Sequence, residues 1–160
     1  MATQTSTGFE ARLHAGESFA SIFNGGAILI FSGPQPENAD AAATGVLLAI
    51  VSDRGLVWAP GDDASGLRFA SAGRYVVNDP EQSWVIRGVA VGVPGWCRLV
   101  GPVSDPGAAS IEFPRIDGAV GPTDSQGDVQ LRLLPRLMDM KTDVAADILN
   151  WYFARPPTGD

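Results

Sequence analysis

The chain contains a single cysteine and a single histidine. Cys97 on its own excludes an intrachain disulfide framework. One residue of each kind cannot furnish the three or four ligands of a typical zinc site, so no metal or other cofactor is expected. A Ser-His-Asp or Cys-His centre would have to use His14. That residue lies in the N-terminal stretch, far in sequence from any nucleophile at a strand end, and a surface or rim histidine is the simpler account. Charge is also scarce: 18% of the residues are charged, against about 25% in an ordinary soluble domain, which leads us to expect that partners cover part of the surface. The charge that is present is acidic, −7 net, so phosphate backbones are repelled and no nucleic-acid partner is expected. Arg54, Arg68, Arg74 and Arg87 are interleaved with acids and form no basic stripe. No apolar run reaches the ~18 residues of a membrane span, and the opening MATQTSTGFEARL lacks the basic-then-apolar order of a secretory signal. The phosphate and nucleophile motifs GxGxxG, GxxxxGK[ST] and GxSxG are missing. GVAVGVPG at 88–95 is glycine-rich but has neither the strand-loop-helix setting nor a lysine.

What the chain does have is 160 residues, enough for one domain with a core of its own, and 19 Gly and 12 Pro spread along it, as many turns require. Residues 1–8 are small and polar and read as a flexible arm, and 9–160 as one domain. Phe9, Leu13, Phe19, Ile22 and Phe23 fall near helical spacing and predict a short helix over 9–23, ended by Asn24-Gly25-Gly26. Ala27 to Phe31 and Val46 to Val51 are unbroken apolar runs of strand length, which suits burial on both faces. Pro34 and Pro36 between them prevent the ladder from continuing and suit a chain crossover. Shorter strand candidates follow at 56–59, 67–70 and 75–77. Ser83 to Val93 reads as a strand flawed at Gly88, and Trp96 to Val100 as one with Cys97 and Leu99 on one face and Trp96, Arg98 and Val100 on the other. Ile111 to Phe113 and Val129 to Leu133 alternate as half-buried strands do. Residues 144–153 fit either period, their aromatic density favouring strand. The sum is an all-β fold, an antiparallel β-sandwich or jelly-roll-like body with a short N-terminal helix.

Candidate chemistry is thin. Cys97, beside Leu99, reads as a small buried hydrophobe. Asp117, Asp124 and Asp128 in DGAVGPTDSQGD could offer oxygens to calcium, but the spacing departs from the EF-hand pattern and a solvated loop explains them. Asp62-Asp63, Asp79 with Glu81, and Glu112 with Asp117 are the carboxylate pairs a glycoside hydrolase could use, but none sits in an aromatic-rich strand pattern and turn or surface acids account for them better. Trp58, Trp84, Trp96 and Trp151 are packing residues by default; only exposed on one face would they make a carbohydrate platform.

Three blocks carry a resemblance. GGAILIFSGPQPENADAAATGVLLAIV (25–51), GVPGWCRLV (92–100) and IEFPRIDGAVG (111–121) resemble, in the same order, the L-x-I-[YF]-S-G-x-Q-P, T-G-x-L-L-A and G-x-x-G-W-x-R-L pattern of a group of tailed-bacteriophage virion structural proteins, across about half the chain. The resemblance implies a non-enzymatic particle component that works by non-covalent contact. In the first place that is a capsid decoration, or cement, protein on the major capsid protein, made in the host cytoplasm, placed on the virion surface and forming a homo-oligomer there. A tail, neck or baseplate component is the alternative, and a host-surface carbohydrate-binding module the rival from another class. The expected contact elements are the N-terminal arm and helix, the 34–44 loop and the aromatic C-terminal strand, with Phe9, Leu13, Gln35, Pro36, Trp151, Tyr152 and Phe153 as interface residues.

Overall fold

A computed structural model describes residues 3–62, 64–72, 75–122, 131–133, 145–148 and 152–154. In chain order these form β1 (Gln4–Thr5), α1 (Thr7–His14), α2 (Phe19–Phe23), β2 (Ala27–Ser32), β3 (Leu47–Asp53), β4 (Phe69–Ala72), β5 (Tyr75–Asn78), β6 (Trp84–Gly88), β7 (Pro94–Val100), β8 (Arg115–Pro122), β9 (Leu131–Leu133), β10 (Ala145–Ile148) and β11 (Tyr152–Ala154). The two apolar runs, β2 and β3, pair antiparallel at the centre of a sheet ordered β1-β8-β7-β2-β3-β6-β10, with β9 parallel to the end of β8. The order β11-β5-β4 makes a second, smaller antiparallel sheet. The all-β expectation is borne out, and the layers are unequal. One face of the large sheet is covered jointly by α1, α2 and the β4–β5 hairpin, whose Phe9, Phe19, Ile22, Phe23, Phe69 and Val76 share a core with Ile28, Ile30, Trp84, Cys97, Leu99 and Ile116 of the sheet. The rings meet edge-on or tilted, Phe9 to Phe23 at 5.2 Å and Phe69 to Trp84 at 5.3 Å, the arrangements their quadrupoles favour.

The single helix expected over 9–23 is two. Glu17 N–H reaches back to Arg12 O, and Ser18 opens a new helix by accepting from Ser21 N–H through its side chain. The break lets Phe9 of α1 and Phe19 of α2 bury against one another, which a straight helix would place on diverging faces. Nor is the opening segment a free arm as far as it is described. Gln4 and Thr5 pair with Asp117 and Ile116, and Ser6 is fully buried. Its hydroxyl accepts from Phe9 N–H (3.2 Å) and Arg115 N–H (2.8 Å) and donates to Phe113 O (2.9 Å). Polarity misleads here because the partners lie more than a hundred residues away. Ser6→Ala removes a helix cap and strands two buried backbone groups, and is expected to cost about 2–3 kcal/mol in urea unfolding.

Other boundaries move too. The flaw at Gly88 ends β6: Val89 and Ala90 N–H both bond to Leu48 O, at 2.7 and 3.2 Å, as at a bulge. Residues 56–59 form no strand, and Trp58 instead donates its indole N–H to Gly25 O. Ile111 to Phe113 are bends, not strand, since the chain there turns into β8. The ambiguous 144–153 stretch contributes β10 and the start of β11, which belong to different sheets.

Candidate functional site

The opposite face of the large sheet holds the feature that the sequence did not announce. Trp96, Arg98, Arg115 and Asp117 alternate outward from the helical layer, yet all are fully buried. The crossover 33–46 and the segment 101–114 lie over them. Arg98 and Asp117 are direct cross-strand partners on β7 and β8 and meet as a two-pronged ion pair, Nε to Oδ1 at 2.7 Å and Nη2 to Oδ2 at 2.9 Å. Nη2 also donates to Ala41 O in the crossover (3.1 Å). Arg115 repeats the device. Nε and Nη2 grip Asp105 at 2.7 Å each, Nη2 donates to Ala108 O, and Nη1 fans out toward the carbonyls of Ala39, Asp40 and Ala41 at 3.3–3.4 Å. Only a planar guanidinium can hold a carboxylate with one edge and backbone carbonyls with another. Burial pushes the Asp117 carboxyl up, against the pull of Arg98.

Aromatic residues close the same face. Trp96 stacks on Phe31 at 4.6 Å and 15°, its indole N–H donates to Thr44 O at 3.2 Å, and Arg98 lies over its ring. At the crossover's exit, Val46 N–H bonds to Ser32 Oγ and Ser32 N–H to Val46 O. Gly45 sits at φ +82°, and a Cβ there would stand 1.9 Å from Ser32 O. A Cβ at Gly95 would stand 2.0 Å from Gly33 O. Both positions therefore need glycine, one for its dihedral and its closeness, the other for closeness alone.

This placement revises the expected interface. Phe9 is buried in the core, and Gln35 and Pro36 are buried within the crossover itself, with Gln35 Nε2 donating to Gln4 Oε1 at 3.2 Å. None of the three is offered to a partner, because each already fills space inside its own chain. Leu13 is half-buried against the core. Tyr152 and Phe153 lie in β11, paired with Val77 and Val76. Trp151 lies outside the described residues.

The candidates for chemistry are dispersed. His14 is exposed on α1. Cys97 is buried and its thiol is pushed up to about 12, chiefly by burial. Asp62 caps its own turn through Ala64 N–H and Ser65 Oγ, and Asp63 lies outside the described residues. Asp79 pairs with Arg68, while Glu81 is exposed. Glu112 is exposed, whereas Asp117 has both oxygens on Arg98. Asp117 is therefore not a loop ligand for calcium; Asp124 and Asp128 lie outside the described residues. Among the described residues no group of three or more His, Cys, Asp or Glu could hold a metal ion. Trp84 and Trp96 are buried and Trp58 is half-buried, so they make no exposed sugar platform. A shallow groove of about 560 Å³ runs between Asn38, Asp40 and Ser110 to Glu112. Asp40, its one other acid, is spent on the N–H and hydroxyl of Thr7.

No helix among the described residues is long and apolar enough to cross a membrane. Compared with known protein families, with curated proteins and with solved structures, the chain matches none.

Proposed function

We propose that the chain is a structural protein of a tailed-bacteriophage particle, and within it a capsid decoration protein that binds the outside of the shell and holds neighbouring major capsid subunits together. The observation that carries this reading is where the resembling blocks fall. They are not scattered over loops that converge on a cleft. They build β2, β3, β7 and β8, neighbours in one sheet, together with the crossover between the first two. Their polar and aromatic members are consumed by one another: Phe31 with Trp96, Ser32 with Val46, Trp96 with Thr44, Arg98 with Asp117. Such a motif specifies a rigid body, and a rigid body with both sheet faces closed works by fit. The Ser-Gly-Pro-Gln-Pro loop is then a connector, since Ser32 spends its hydroxyl on the backbone of Val46.

A decoration protein acts by mass action: whatever binds the assembled shell and not its separated subunits stabilises the shell. Contacts of about 800 Å² per partner are the ordinary scale. The test is location and effect together. Immunogold labelling of purified particles is expected to decorate the head, and particles grown without the chain to release DNA at a lower temperature. Labelling confined to the tail would move the protein to a tail, neck or baseplate role. Absence from purified particles would end the virion reading.

A further inference from the structure

The crossover and the 101–114 segment meet along the shallow groove of about 560 Å³, and its lining is mostly apolar. Ala41, Ala109 and Ile111 face it, and Ile111 is 68% exposed. The walls are fixed. Ser110 N–H bonds to Asp40 O at 2.9 Å, and the Asp40 carboxylate holds the N–H and hydroxyl of Thr7. A Cβ at Gly8 would stand 2.3 Å from Glu112 O, so the first turn of α1 is pressed onto the backbone there. Four carboxylates belong to this place. Asp40 and Glu112 line the groove, Glu37 precedes the lining residue Asn38, and Glu10 follows Thr7 by three residues on α1. Among the described residues none of the four is in an ion pair, whereas Glu17, Asp53, Asp79, Asp105 and Asp117 all are. The crossover and the 101–114 segment contain no Lys, Arg or His. The cations of α1, Arg12 and His14, lie in its last turn, Arg12 on Glu17, and Arg115 is buried against Asp105.

We infer that the groove takes an extended segment of a partner protein in which a lysine or arginine stands beside an apolar side chain. Four uncompensated carboxylates around one site repel one another in the free chain, and a cation laid among them relieves that repulsion. The exposed isoleucine gains from apolar contact at the same place. A segment carrying charge alone leaves Ile111 in water, and an apolar segment alone leaves the acids unanswered. Other occupants fit less well. A metal ion finds no group of three or more ligating side chains among the described residues. Phosphate backbones and anionic bilayers are repelled. A second copy brings −7 of its own. In the virion reading the partner is the major capsid subunit, and the inference rests on that reading only for this identity.

Fluorescence anisotropy of a labelled peptide of alternating lysine and leucine, titrated with the whole chain, tests it. Binding is expected, and Glu112→Lys and Ile111→Ser are each expected to weaken it at least ~tenfold. Glu81→Lys, at an exposed acid in the turn between β5 and β6, makes the same change in net charge and is expected to leave the affinity nearly unchanged. Unaltered thermal unfolding of each variant certifies its fold. Absence of binding overturns the inference and leaves the virion reading standing. Equal losses from Glu112→Lys and Glu81→Lys, or equal affinity for a peptide of alternating lysine and serine, overturn it too, because attraction to net charge would then explain the binding. So does self-association of the chain that Glu112→Lys abolishes, which would give the groove to a second copy. Absence of the protein from particles would do the reverse, ending the virion reading while the peptide site survives.

Discussion

Asp117→Ala is expected to lower the unfolding free energy by about 3–5 kcal/mol. The carboxylate takes two of the bonds of Arg98, which is itself 1% exposed. Removing it leaves a cation in a low-dielectric interior with the carbonyl of Ala41 for company. Adding Arg98→Met to an Asp117→Leu chain should recover most of the loss, because a pair of apolar side chains avoids the desolvation cost that the ion pair carries. Urea unfolding of the single and double variants separates the two effects. A single variant within about 1 kcal/mol of wild type would mean that the pair does not hold this face together, and a double variant no better than the single would mean that the loss is that of the pair itself and not of a stranded cation.

Trp96→Ala is the second large effect, again about 3–5 kcal/mol, the usual cost of truncating a fully buried aromatic. Here more than volume is lost. The ring is the surface on which Phe31 stacks and Arg98 rests, and its indole N–H is one of the tethers of the crossover at Thr44. Hydrogen exchange should therefore quicken at Ala43 and Val46, whose N–H groups are bonded to Gly107 O and Ser32 Oγ. Trp96→Phe keeps a ring in the stack and gives up the tether, so its cost should be nearer that of one hydrogen bond plus a small void, about 1–2 kcal/mol. Equal losses in the two variants would show that the stack contributes little.

Much of the sheet was legible because its signal is local. The runs that became β2 and β3 have no polar interruption, and the alternation of β7 put Cys97 and Leu99 on the core side. The other face was not legible, for a physical reason. An arginine between Cys97 and Leu99 reads as solvent-facing, and its partner lies nineteen residues on, found only when β7 and β8 come into register. A signal was nevertheless present. In a chain this poor in charge, Arg98 and Asp117 are opposite charges set inside apolar alternation, where a lone charge would be costly. The same blindness to distant partners made residues 1–8 look loose and made Gln35 and Pro36 look available. Polar and proline-rich text is what a surface loop and a clamped crossover have in common.

The contact between Ser6 and the turn into β8 also bears on how the protein is made. The first helix finds its anchor on Phe113 and Arg115, and the crossover its clamps on Arg98 and Arg115. Arg115 must therefore have left the ribosome before Ser6 and β1 can take up these partners. Until then the phenylalanine-rich early segments lack part of their cover, and that is the interval in which a holding chaperone would matter most.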